Sequence, residues 1–299
     1  LKFDEHGVDE VRRKLFGTLY NTYSFFALYA NVDGFDPETP QIPLADRPEI
    51  DRWILSCLHS LVRKVDKELE AYDPTRAGRL IDSFVNDDLS NWYVRLNRKR
   101  FWGKEMSNDK LSAYQTLYSC LLTVAKLLAP FAPFYSDRLY HDLEGGLQSV
   151  HLDTFPVADD AFIDADLEER MSMAQKITSM TLALRRKVNI KVRQPLQQIM
   201  IPAVSESQKA HVEAVKDLIM NEVNVKDIRF VEGEDILVKS VKCNFRTMGK
   251  KYGKLMKGVA ARINPQFWIL QTIYLPSLYC IILFRSIHPL LHQYLLLRK

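Results

Sequence analysis

The 299-residue chain has four cysteines (Cys57, Cys120, Cys243 and Cys280), widely separated and without a C-x-x-C pair. That spacing argues against a thiolate zinc site or a disulfide framework and for a reducing compartment. None of G-x-S-x-G, G-x-x-x-x-G-K-[ST] or G-x-G-x-x-G occurs, so no nucleophile elbow, phosphate loop or dinucleotide fingerprint is present. Seven histidines form one H-x-x-x-H pair, His288 and His292, with no Glu beside either. Asp87 and Asp88 read as surface charge or as a contact to a neighbouring Arg. No catalytic residue and no metal ligand is assigned. The opening residues include charged Lys2, Asp4 and Glu5, so no signal peptide is expected, and the initial Leu1 suggests a fragment or a processed start.

Acidic residues are missing from the last fifth of the chain. After Asp235 there are 11 Lys+Arg and no acid, a net charge of +11, whereas residues 1–235 carry a net −7. The whole-chain value of +4 hides this asymmetry, which fits a segment facing a polyanion or a foreign tail. Residues 263–299 also lack Gly, Ala and Val, and Ile263 to Phe284 is 22 residues without a formal charge. That is the length of a membrane span, but Asn264, Pro265, Gln266, Gln271, Thr272, Pro276 and Ser277 interrupt it. Residues 262–299 therefore read as an atypical apolar tail of non-native origin, with membrane tethering through 263–284 as the alternative.

What remains is strongly helical in pattern. Val11, Leu15, Leu19, Phe26 and Tyr29/Ala30 mark a helix over 7–30, and Pro37, Pro40, Pro43 and Pro48 mark a connector. A second helix carries Trp53, Ile54, Leu58, Leu61, Val62, Val65 and Leu69 on one face. Asp73-Pro74 is a cap followed by a first-turn proline, opening a third with Ile81, Phe84, Val85, Leu89, Trp92 and Leu96 as its stripe. Ser107 caps a fourth, and the prolines of Ala129 to Pro133 separate it from a short fifth ending near Leu143. The fold class is mainly α, an antiparallel helical bundle, followed by a small α+β module. In that module a helix over 164–187 precedes β-like runs at Ile190 to Val192 and Gln198 to Ile201, a helix from Ser205 to Met220, and strand-like Val225 to Val231 and Ile236 to Val241.

The segment richest in chemistry is Ser90 to Trp102, SNWYVRLNRKRFW. Arg95, Arg98, Lys99 and Arg100 supply phosphate-neutralising charge, and Trp92 and Trp102 supply rings that stack on unpaired bases. Asn97 has the amide needed to read a base edge. On an α-helix Trp92 and Leu96 continue the buried stripe while Arg95, Lys99 and Trp102 share a neighbouring face. The same residues also suit core rings and a solvated helix end whose cations favour the C-terminal dipole. A second basic stretch, Arg185, Arg186, Lys187, Lys191 and Arg193, sits at a helix end and an ensuing hairpin; a third runs from Lys239 to Lys257.

Five segments in order, SNWYVRLNRKRFW, LAPFAPFY (128–135), SVHLDTFP (149–156), NIKVRQPL (189–196) and NFRTMGKKYGK (244–254), resemble the C-terminal part of the isoleucyl-tRNA synthetase family. Leu15 to Phe35 resembles the helix leaving that family's catalytic domain. The likeness covers about residues 1–261. It implies a stem-contact helix and proline-rich connector at 1–45, a helical-bundle anticodon-binding domain at 46–156 and a small α+β module at 164–261. It further implies isoleucine tRNA and the catalytic domain as partners, a cytoplasmic location, and no membrane. Arg95, Arg98, Lys99 and Arg100 would hold phosphates, Trp92 or Trp102 would stack, Asn97 would contact base edges, and Arg185, Arg186 and Arg193 would be second-tier contacts. The family's HIGH and KMSKS signatures are absent, so the ATP and Mg used by the parent enzyme imply no cofactor in this segment, and no activity of the segment alone is expected. A helical docking module is the other alternative.

Overall fold

The computed structural model describes residues 4–103, 105–143, 145–202, 205–231 and 253. The chain divides into two compact units, 1–171 and 172–299.

In the first unit, α1 (Glu5–Val11), a π-helical turn at Arg12–Phe16 and α2 (Gly17–Asp33) form one unbroken rod. It stops at Gly34, whose φ of 65° is the left-handed geometry that glycine adopts without a Cβ clash; its amide donates to the Ala30 carbonyl. The proline connector that follows is pinned by two side chains. Buried Arg47 donates to the Ile42 carbonyl (3.0 Å), Gln41 Oε1 (3.1 Å) and Thr116 Oγ1 (2.8 Å). Gln115 donates to the Pro40 carbonyl at 3.0 Å and accepts from the Ile42 amide at 2.9 Å. These bonds replace the secondary-structure partners that a proline-rich segment cannot provide.

The bundle proper begins with α3 (Glu49–Glu70), which buries Trp53, Ile54, Leu58, Leu61, Val62 and Val65. Asp73 caps α4 (Pro74–Ser83), its carboxylate accepting from the Arg76 amide at 3.0 Å, as the Asp-Pro pair predicts. The helix continues as an eleven-residue π-helical stretch, Phe84–Val94, and ends as α5 (Arg95–Phe101). A short joint after α3 and the pairing of Asp51 with Arg100 make this rod antiparallel to α3. Ser107 caps α6 (Asn108–Leu128), and Pro133 opens α7 (Pro133–Asp142). α3 packs on α4 and α6, α6 on α7, and α2 on the π-helical stretch. The antiparallel helical bundle expected from the sequence is what forms.

Two polar anchors secure the later loops. On α3, Ser56 and Ser60 donate to Glu168 Oε1 at 2.6 and 2.7 Å, His59 Nδ1 accepts the Asp159 amide at 3.0 Å, and Arg63 pairs with Asp160. This one stripe holds the approach to α8 (Ala165–Lys187). Asp153 is held by Lys126 Nζ (2.8 Å) and Tyr140 OH (2.7 Å), which lower its pKa to about 2. A depressed carboxylate stabilises the fold fully above the ordinary Asp range, near pH 4, and loses that contribution as pH falls toward 2. Asp153→Asn is therefore expected to flatten the decline of the urea midpoint between about pH 4 and 2.

In the second unit, β1 (Ile199–Pro202) and β2 (Ile228–Val231) pair in parallel, Ile199 opposite Ile228, with an added bridge from Leu196 to Val225. Parallel strands need a crossover, here α9 (Glu206–Ala214) and α10 (Lys216–Val223). Three expectations change. The helix from Ser205 is broken at Val215. Ile190 to Val192 is irregular backbone leading into a turn and not a strand, so there is no hairpin there. Arg185 draws the carbonyls of Lys191 and Gln194 to its guanidinium at 3.1 and 2.9 Å, leaving that run no partner strand. The strand expected at Ile236 to Val241, the basic run 239–257 and the tail 262–299 lie outside the described residues.

Candidate nucleic-acid interface

The π-helical stretch decides which way the Ser90 to Trp102 residues face. In an α-helix a four-residue step overshoots one turn by about 40°, so the inward positions 81, 85, 89, 93, 97 and 101 would drift about 200° round the rod. They stay inward because the wider i→i+5 turns of Phe84–Val94 absorb the drift. The stripe consequently passes from Trp92 through Tyr93 to Asn97 and Phe101, and Leu96 is half-buried instead of continuing it.

That rotation overturns several sequence expectations. Asn97 is 4% exposed, donating to the Tyr93 carbonyl at 2.7 Å and accepting from Arg100 Nη1 at 3.0 Å, so its amide has no base edge to read. Trp92 is buried and offers no face for stacking. Arg100 turns inward to a fully buried carboxylate: Nη1 and Nη2 meet Asp51 at 2.6 and 2.9 Å, and Nε reaches Asp109 at 3.0 Å. Burial works against the charged guanidinium, but Asp51 and Asp109 outweigh it and raise its pKa above the usual Arg value. Asp51 also accepts from Tyr93 OH (2.8 Å) and Ser112 Oγ (2.6 Å), and burial pushes the Tyr93 phenol well up. Four donors on one carboxylate satisfy its lone pairs.

Facing outward are Arg95, Arg98, Lys99 and Trp102. Arg95 Nε donates to the Asn91 carbonyl at 2.8 Å, and its guanidinium lies 5.7 Å from the Trp92 ring centroid. Arg98 and Lys99 are exposed in the last turn of α5 and make no ion pair with another described residue. Trp102, one turn beyond Arg98, is 57% exposed. Positive charge there is favourable for the helix terminus and is also open to an anion.

In the second unit Arg185 is 2% exposed and bonded to three carbonyls, the third being Asn224 at 2.9 Å, so it is a structural residue of that unit. Arg186 and Arg193 are exposed. Asp51 escaped the sequence reading because it looks like an ordinary first-turn acid. Only the antiparallel pairing that brings it to Arg100 marks it. Cys57 and Cys120 have thiols whose pKa burial pushes up, away from the reactive thiolate.

A family model described as the anticodon-binding domain of tRNA ligase matches residues 51–201. The chain belongs to the family of tRNA-ligase anticodon-binding domains. Its relatives include the isoleucine–tRNA ligase of Bacteroides thetaiotaomicron, 66% identical over 269 residues, 88% of this chain and 23% of that protein. The enzyme of Porphyromonas gingivalis is 61% identical, again over 88% of this chain and 23% of its own length. That of Thermus thermophilus is 41% identical over 85% and 25%. This anticodon-binding domain chain thus spans about a quarter of the length of these ligases. The family match contains both the Asp51–Arg100 pair and the outward Arg95 to Trp102 surface. Among the described residues no helix is long and apolar enough to cross a membrane.

Proposed function

We propose that this chain is the tRNA-holding portion of a cytoplasmic isoleucine–tRNA ligase, gripping the anticodon stem-loop of isoleucine tRNA while a catalytic domain in the remainder of the enzyme joins the amino acid. The observation that carries this is the pair of exposed cations, Arg98 and Lys99, without ion-pair partners among the described residues and one turn from the exposed Trp102 ring. Cations on a rigid helix end neutralise phosphates, and an exposed indole stacks on an unpaired base. Arg95 adds a third charge at the same end. Arg186 and Arg193 are proposed as further phosphate contacts. ATP and Mg would serve the catalytic domain, and no residue here is assigned to them.

The test is a gel-shift titration of the full chain at about 50 mM salt. Isoleucine tRNA is expected to bind more tightly than a tRNA differing in its anticodon, with affinity falling linearly in log salt. Failure to shift either tRNA would remove the proposal. Equal affinity for both would reduce it to general tRNA binding.

A further inference from the structure

The loop after the basic helix end is tied down from inside the bundle. The Gly103 carbonyl accepts from Lys110 Nζ at 2.5 Å, and the same ammonium pairs with Asp33 Oδ2 at 2.6 Å. Lys110 is 2% exposed, with its ammonium 5.9 Å from the Tyr114 ring centroid. Tyr114 OH also donates to Asp33. Burial acts to raise the Asp33 pKa, but Lys110 and Tyr114 outweigh it and hold that carboxyl below the usual carboxylate range. An ammonium is costly to bury, and this one joins three separate segments, the end of α2, the start of α6 and the residue next to Trp102. Trp102's own amide reaches the Lys99 carbonyl at only 3.3 Å, a long bond, so the Lys110 contact is the firmer restraint on the ring's backbone.

We propose that Lys110, with Asp33, is a positioning residue for RNA binding: by holding the Gly103 carbonyl it keeps the Trp102 ring on the outer face, one turn beyond Arg98, where an unpaired base stacks. Lys110 touches no RNA; it acts through Trp102. The inference rests on the interface proposed above and deepens it.

Lys110→Met combined with Asp33→Asn tests it. The pair removes both charges together, so no ion is left stranded, and the new amide oxygen still accepts from Tyr114. The full chain is labelled with 5-fluorotryptophan, the Trp102 resonance being identified by its loss in Trp102→Phe. An anticodon stem-loop transcript of isoleucine tRNA is the probe. The Trp102 resonance is expected to move while those of buried Trp53 and Trp92 stay, and affinity to fall about tenfold, as loss of one stacking contact implies. The salt slope stays at the unmodified chain's value, because no phosphate contact is lost. In a Trp102→Ala background the same pair should cost nothing further.

An unmoved Trp102 resonance, an unchanged affinity, or an equal loss in the Trp102→Ala background each overturns the inference. Should the pair disturb the Trp53 and Trp92 signals, Lys110→Leu/Asp33→Asn, which likewise strands no charge, is read by the same criteria. Arg98→Ala/Lys99→Ala in the same titration separates the two proposals. If that variant weakens binding and Lys110→Met/Asp33→Asn does not, only the positioning role falls. If the unmodified chain binds nothing, both fall.

Discussion

Arg100→Met is expected to lower the unfolding free energy of the first unit by about 3–5 kcal/mol, the loss that follows when one partner of a buried ion pair is removed. The cost comes from Asp51. It has no solvent exposure and would keep only Tyr93 and Ser112 as donors once the two guanidinium bonds are gone. Asp51→Asn/Arg100→Met should recover part of the loss, since no charge is then left unpaired inside. Urea midpoints at constant m-value check both. If Arg100→Met costs no more than about 1 kcal/mol, as an exposed ion pair does, Arg100 is not the structural residue its geometry indicates.

Arg98→Ala/Lys99→Ala is expected to weaken tRNA binding by roughly one to two orders of magnitude at low salt, with stability close to unchanged because both side chains are exposed. Each lost phosphate contact removes about one counterion's worth of salt dependence, so the slope of log K against log salt should flatten by up to about 2. Trp102→Ala is expected to differ in kind, weakening binding with the slope unchanged, because stacking releases no counterion. Filter binding across a salt series separates the two behaviours. An unaltered slope in the double variant would exclude Arg98 and Lys99 as phosphate contacts.

The bundle was legible because its punctuation is local. Asp73-Pro74 and Ser107 mark helix starts through side-chain caps and a fixed φ, and both stand where the pattern places them, while the prolines of 129–133 separate the last two bundle helices. The facing of the basic helix was not legible, because periodicity assumes a constant turn. Phe84–Val94 widens that turn, and Asn97 and Arg100 moved inside while Arg98, Lys99 and Trp102 stayed out. Nothing in the residue types of 84–94 announces a change of hydrogen-bonding pattern. Arg185 failed differently: a run of cations suggests a solvated face, yet one guanidinium can be taken up by backbone carbonyls that only a folded turn presents.

The wide stretch within the α4–α5 rod has a further mechanical meaning. It stores a rotational offset of more than half a revolution without interrupting the rod, as a gear coupling advances one shaft relative to another. The direction in which the helix tip displays its charges is therefore set by backbone bonding in the stretch that precedes them, in residues that themselves carry no positive charge.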